Sequence, residues 1–278
     1  MYVIIEIKSV EDLQRISREL VSPIEYPKWI FRGQKSANGD IKSSLERINE
    51  HYLEIRCKRE KENDIIKHFQ RRAHLYIPSP PKISNYIEWL ALIQHYGGPT
   101  RLVDFTYSIY IATYFAVEES DCDAAVWALR MNCIPKNPCH DVSKKSFNIN
   151  ELLDPAKIVK PQMGVVHVEP WRLNERNSLQ SGTFLCPTDI DKTFKDNLCA
   201  TLKYNSNEFK DKNAINLSME DLKRIGSTDD YYSLIKFIIP QDWHIDIIRE
   251  LYKMNIDSNS LFPGLEGFAK SLRVYLYY

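Results

Sequence analysis

Apolar residues recur along the chain in short stretches, and the period of each stretch predicts an element. Val3 to Ile7 alternates like a strand, and Glu11 to Leu20 then sets Leu13, Ile16 and Leu20 at the helical spacing of three and four. Pro23 and Pro27 punctuate the exit, and Trp29-Ile30-Phe31 reads as a strand ending at Gly33. A long, charge-rich helix is expected from about Asn49 to Ala73, with Leu53, Cys57, Ile65 and Phe69 available for one face and Pro78, Pro80 and Pro81 as its stop. Ser84 or Asn85 can cap the next helix, which carries Ile87, Leu90 and Ile93 toward the core and ends at Gly97-Gly98-Pro99.

Beyond that turn, Ser108 to Glu118 is a helix and Ala124 to Leu129 a buried strand. Residues 132–160 hold prolines and asparagines with little periodicity and read as a surface excursion. Strands follow at Gly164 to Val168, Ser181 to Leu185 and Ser233 to Ile239, with helices at Asp242 to Met254 and Gly264 to Leu272. Strands and helices are interspersed without regular βαβ alternation. That predicts an α+β fold, a single mixed or antiparallel sheet with flanking helices, in one domain over residues 1–278.

Composition narrows the function classes. Lysine plus arginine number 37 and aspartate plus glutamate 37, so the chain has no overall positive field to pull it onto nucleic acid or anionic lipid. A local basic groove stays open. The mixed-sign stretch Lys58 to Glu62 reads as a solvated helix surface. No run reaches the roughly 18 apolar residues of a membrane span, and the first residues are too short and too soon charged for a signal peptide. A cytoplasmic protein without membrane contact is expected. The six cysteines form no C-x-x-C pair and read as reduced thiols; Cys133, Cys139 and His140 have poor ligand spacing, so no metal is expected.

Four clusters carry possible chemistry. In the first, Arg32 ends a strand between Phe31 and Gly33, offering a planar fork of donors for phosphate or carboxylate beside Gln34. Gly33 allows a turn or close approach of a ligand; a buried arginine paired to a core carboxylate is the structural alternative. The second runs from Gln94 to Thr106, where Gln94, His95, Thr100, Arg101, Asp104 and Thr106 stand beside Trp89, Tyr96 and Phe105 like a pocket wall. Within it, Arg101 with Asp104 suits an ion pair, and Thr106 a helix cap. The third is Asn174-Glu175-Arg176 followed by Gln180-Ser181-Gly182-Thr183-Phe184, equally readable as a loop entering an edge strand. The fourth is Leu261 to Ala269, where Pro263 begins a helix with Glu266 on its first turn, a place that also suits the helix dipole.

Taken together, in this order, the four blocks resemble the FRG-domain family, named for its aromatic-Arg-Gly motif, over about residues 28 to 272. Phe105 stands where that family usually has tryptophan, and Gly98 where it has a larger apolar residue. The aromatic-Arg-Gly on an early strand is also similar to the first motif of arginine-type ADP-ribosyltransferases, although no Ser-Thr-Ser motif is present and no Glu-x-Glu stands late in the chain, where those enzymes carry their glutamate. The resemblance implies an NAD-consuming ADP-ribosyltransferase-like enzyme or NAD glycohydrolase, acting as a bacterial or phage toxin or defence effector. NAD is then the substrate. Arg32 would clamp its pyrophosphate, Tyr96 or Phe105 would stack on the nicotinamide, and His95 would bond a ribose hydroxyl. Glu266, or alternatively Glu175 or Glu169, would stabilise the oxocarbenium-like transition state. Gly33, Gln34, Gln94, Thr100, Arg101, Thr106, Arg176 and Gln180 complete the expected binding set. The acceptor would be a protein or nucleic acid, and a neutralising or regulatory protein partner is expected. Two alternatives stand beside this one: a non-catalytic module recognising nucleotide or phosphate through Arg32, Arg101 and Arg176, and a nuclease or hydrolase using His95 with Asp104.

Overall fold

The computed structural model describes residues 2–21, 28–51, 58–135, 149–154, 157, 162–172, 174–206, 209–227 and 232–276. Its first half runs β1 (Val3–Glu6), α1 (Val10–Leu20), β2 (Trp29–Gln34), α2 (Ser44–His51), α3 (Lys58–Ala73), α4 (Tyr86–His95), β3 (Val103–Thr106), α5 (Ile109–Val117) and β4 (Ala124–Arg130). The second runs α6 (Ile149–Leu153), β5 (Val165–Val168), α7 (Glu175–Leu179), β6 (Gly182–Pro187), α8 (Phe194–Leu202), β7 (Ile215–Asn216), α9 (Leu222–Ser227), β8 (Leu234–Ile239), α10 (His244–Lys253), α11 (Ser258–Leu261) and α12 (Leu265–Ser271). The strands join in one mixed sheet of order β5-β6-β3-β2-β4-β8-β1-β7, parallel where β1 meets β7 and β8 and antiparallel elsewhere. This is the α+β fold that the interspersed periods predict. No described helix is long and apolar enough to cross a membrane.

Residues paired directly across strands share a face, so the register divides the core. Phe31 pairs with Ala128, and Ala128 with Ile235; all three belong to one cluster with Val3 and Ile5, packed against residues of α1, α5 and α10. Through Thr106 and Asp104 the same face continues to Phe184 and Val168, where residues of α3, α4 and α6 cover it. The opposite face carries Ile30, Trp127, Leu129, Val103 and Leu185 and is packed by Phe194 and Leu198 of α8. Two helix groups thus cover one face of the sheet, with a seam between them.

Below that seam the sheet itself parts. β2 and β3 share one paired position, Phe31 with Thr106. From there β2 follows β4 to Gln34, while β3 follows β6 to Val103. Gly33 stands at the parting because α5 presses on it. A Cβ there would lie 2.1 Å from the Ala112 carbonyl oxygen and 2.7 Å from the Ala116 nitrogen. The close approach allowed by this glycine is that of a helix backbone.

Several local expectations change. The expected helix from Asn49 to Ala73 is α2 and α3, and Leu53 and Cys57 lie outside the described residues, as do Pro23, Pro27, Cys139 and His140. Within the expected surface excursion, α6 buries Ile149, Leu152 and Leu153 against the α4 cluster. β3 has only four residues, so its alternation is hidden among the polar groups beside it.

Gly33→Ala is expected to lower stability by about 1–3 kcal/mol, the usual range for overpacking, since backbone rather than a flexible side chain opposes the new methyl. Urea denaturation of the purified variant measures this.

Candidate functional site

A cavity of about 260 Å³ opens at the parting of β2 and β3, beneath the seam between the helix groups. Six elements line it. β2 brings Phe31, Arg32 and Gly33; β3 brings Asp104, Phe105 and Thr106; α4 brings Ala91, Gln94 and His95. Phe115 of α5 closes one wall, and Asn174, Arg176, Asn177, Gln180, Gly182 and Phe184 come from α7, its flanks and β6.

Arg32 spans the parted strands. Its Nη1 donates to the Asp104 carbonyl oxygen at 2.7 Å, and the Asp104 carboxylate lies 4.0 Å away. Burial pushes the guanidinium below its ordinary value, and Asp104 acts in the opposite direction; the group stays charged. The Arg32 side chain is 17% exposed and that of Asp104 64%, so the cavity opens to solvent at the carboxylate.

That carboxylate is oriented by a relay. The Leu102 amide donates to the Thr100 hydroxyl oxygen at 3.2 Å, and the hydroxyl donates to Oε1 of Gln94. This fixes the amide so that its Nε2 donates to Asp104 Oδ1 at 2.7 Å. Gly97, at φ 81°, ends α4 two residues beyond His95.

Arg176 forms the opposite cationic wall. Its guanidinium lies 4.5 Å over the Phe262 ring, and Phe262 meets Phe115 edge-on at 5.9 Å. Gln180 Nε2 donates to the Leu261 carbonyl at 3.1 Å. The fourth block therefore braces the cavity from behind. Among the described residues Arg176 has no ion-pair partner within 4.0 Å. Burial pushes the His95 pKa down, and the Arg176 charge adds to this, so the neutral imidazole is favoured.

Of the expected site residues, Arg32, Gly33, Gln94, His95, Asp104, Phe105, Thr106, Arg176 and Gln180 line one cavity. The others do not. Arg101 is buried and grips Glu62 of α3, with Nε 2.9 and 2.8 Å from the two carboxylate oxygens, so its expected pairing with Asp104 is replaced by a core ion pair. Gln34 is spent on structure, donating to the Ser36 and Gly39 carbonyls at 2.8 and 2.6 Å and accepting from the Trp127 indole at 3.0 Å. Thr100 is buried and acts through Gln94, and Tyr96 is exposed outside the cavity, edge-on to His95.

Glu266 is 78% exposed and paired with Lys270 at 2.8 Å, which, with a smaller effect of Arg176, holds its carboxyl below the usual range. It does not line the cavity. Glu175 is exposed, and Glu169 accepts from the Tyr107 hydroxyl at 2.6 Å. His95 and Asp104 share the cavity without hydrogen-bonding each other. Thr106 accepts from the Ser108 amide at 3.1 Å and donates to the Gln180 carbonyl at 2.7 Å, while Ser108 itself caps α5. Asn177 was missed by sequence reasoning; its signal was the Asn174 cap, which accepts from the Asn177 amide at 2.7 Å and sets the short helix. No group of three or more metal-ligating side chains occurs among the described residues.

Two measurements test this electrostatic layout. Arg176→Ala is expected to raise the His95 pKa while leaving it below the ordinary histidine value, because burial is the larger cause; proton NMR titration reads it. A histidine pKa depressed by folding lowers stability below the folded pKa, and that penalty fades as pH rises through the unfolded value, so the variant's stability should depend less on pH there. Glu62→Ala, which strands Arg101 in the core, is expected to cost about 3–5 kcal/mol in thermal or urea unfolding.

No curated protein and no solved structure matches the chain, so the likeness to ADP-ribosyltransferases has no support from comparison. A family model does match, over residues 27–124, the stretch that holds the first two blocks and α5, whereas the third and fourth blocks lie beyond it. The strand that bears Arg32, the turn that bears His95 and Asp104, and the helix packed on Gly33 therefore all lie in the stretch that matches the FRG domain.

Proposed function

We propose that the cavity binds a phosphate-bearing nucleotide, with NAD as substrate in an N-glycosidic cleavage or ADP-ribosyl transfer. The observation that carries this reading is the convergence of Arg32 and Arg176 on one cavity that contains a single carboxylate, Asp104. A half-buried arginine without a counter-ion is unfavourable until an anion arrives, and a phosphate supplies both charge and acceptors. At about 260 Å³ the cavity is slightly smaller than most ligand pockets. It suits a phosphate with its ribose, the rest of the ligand leaving through the open side.

Asp104 takes the catalytic role first expected of Glu266. Breaking the nicotinamide–ribose bond sends its electron pair to nicotinamide and leaves an oxocarbenium-like ribose, which the relay-held carboxylate stabilises before water or an acceptor attacks. Neutral His95 is suited to hydrogen-bonding a ribose hydroxyl, and Phe31 and Phe184 offer apolar walls. NAD consumption in a cell would make the protein toxic, hence the expected neutralising partner. The Gln94 bond to Asp104 equally suits plain recognition, in which the carboxylate only orients the ligand.

Calorimetric titration with NAD and ADP-ribose, together with chromatography of released nicotinamide, separates these. Both ligands should bind, and Arg176→Ala should weaken binding about 10- to 100-fold, the effect of losing a charge-assisted hydrogen bond. Asp104→Asn should abolish release while binding persists. Binding without release leaves recognition as the function. No binding of either ligand at millimolar concentration ends both readings.

A further inference from the structure

Although the chain is neutral overall, its charge is not evenly spread. No acidic residue stands between Asp64 and Glu88, a stretch that holds Lys67, Arg71, Arg72 and Lys82. All four are exposed in the fold, and none has an ion-pair partner among the described residues. Lys67 and Arg71 are one helical turn apart on α3 and line an open groove with Asp64, His68, Gln70 and Ile83.

Tertiary contacts extend this face with residues from a distant part of the chain. Gln70 Nε2 donates to the Ile83 carbonyl at 3.0 Å, fixing the loop that follows α3. That loop's Ser79 carbonyl accepts from Arg172 Nη1 at 3.4 Å, which brings in a fifth exposed arginine or lysine. The neighbouring Trp171 has 92% of its surface exposed, yet its backbone is pinned: the buried Glu88 carboxylate accepts from the amides of both Trp171 and Arg172. Tyr76, in the same loop as Ser79, is 81% exposed.

Both rings are exposed rather than part of the core, and the Trp171 backbone is held in place. Glu88, Ala91 and His95 recur at three and four along α4, and the last two line the cavity, so Trp171 stands beside its rim.

We infer that this face binds single-stranded nucleic acid. Unpaired cations match a phosphate backbone, and exposed aromatic rings match unstacked bases, whose faces a duplex hides. An anionic membrane would take both the cations and the rings at its interface, so vesicle binding is the competing outcome of the test. The surface lies outside the cavity, so this inference does not depend on what the cavity binds.

Fluorescence anisotropy with labelled 12-nucleotide single-stranded RNA, single-stranded DNA and duplex DNA of the same length tests it, beside sedimentation with phosphatidylserine vesicles. Either single strand, or both, should bind at least about tenfold more tightly than duplex, with a slope of log affinity against log salt of about −3, since about four phosphates contribute about −0.7 apiece. The RNA and DNA arms identify which strand is preferred. Lys67→Glu with Arg71→Glu should abolish binding, and Trp171→Ala should weaken it about tenfold while leaving most of the salt slope. Arg176→Ala, within the cavity, should change strand affinity by no more than about twofold, which separates failure here from failure of the nucleotide reading. Equal binding of strand and duplex, binding of vesicles alone, or affinity unchanged in the double variant would each overturn the inference. Both variants alter exposed side chains, and circular dichroism verifies that they fold.

Discussion

β2 and β3 are hydrogen-bonded neighbours at Phe31 and Thr106 and then part company, each following its other partner. A parted sheet leaves backbone groups without the ladder they would otherwise join, open to a donor from a side chain. Arg32 provides one by reaching across to the Asp104 carbonyl. The same side chain therefore satisfies the sheet and places a guanidinium in the opening. Nearly every feature of the site depends on this parting: the Asp104 carboxylate would otherwise project from a closed sheet, and α4 and α5 would have no gap to flank.

The framework around the opening is made rigid by different means on each side. On the β2 side, Gly33 lets α5 sit directly on the strand, so the helix and strand backbones fix each other at contact distance. On the β3 side a buried Arg101–Glu62 pair ties α3 to the approach to β3, and Thr100 hands its hydroxyl to Gln94. Arg101, Glu62 and Thr100 do not themselves line the cavity, yet they act on where Asp104 stands, Thr100 through the lining residue Gln94. Preorganisation of this kind is what an electrostatic site requires, because a carboxylate already in place costs no reorientation when charge develops. Behind Arg176, the Phe262 ring plays the matching part, holding a planar cation by its face.

Two surfaces of different character thus lie next to each other. The cavity is small, enclosed by backbone turns and short helices, and contains one carboxylate among cationic groups. The face built from Lys67, Arg71 and Arg72 of α3, the loop after it and Arg172 is exposed, and these cations have no ion-pair partner among the described residues. Glu88 links them, since one helix places its carboxylate under the Trp171 loop and its later turns against the cavity. A chain with 37 positive and 37 negative residues can do this because the acidic groups are concentrated elsewhere in the sequence.

Local patterns were sufficient for most of the architecture. The alternation at Val3 to Ile7, the short apolar runs at Trp29 to Phe31, Ala124 to Leu129 and Ser233 to Ile239, and the helical spacing at Glu11 to Leu20 and Ile87 to Ile93 reappear as elements, because burial on one face imposes a period and burial on both faces a continuous apolar run. Residue types alone also marked Arg32, His95, Asp104 and Arg176. Their division into cavity lining and core was decided only by tertiary structure. Arg101 and Arg32 look alike in sequence, but one meets Glu62 and the other a parted strand, and both partners lie far away along the chain. Glu266 sits on the first turn of α12 exactly as its motif suggested, yet that turn faces solvent. Which strands pair, and where a pair stops pairing, depends on contacts between distant segments, and no local period records it.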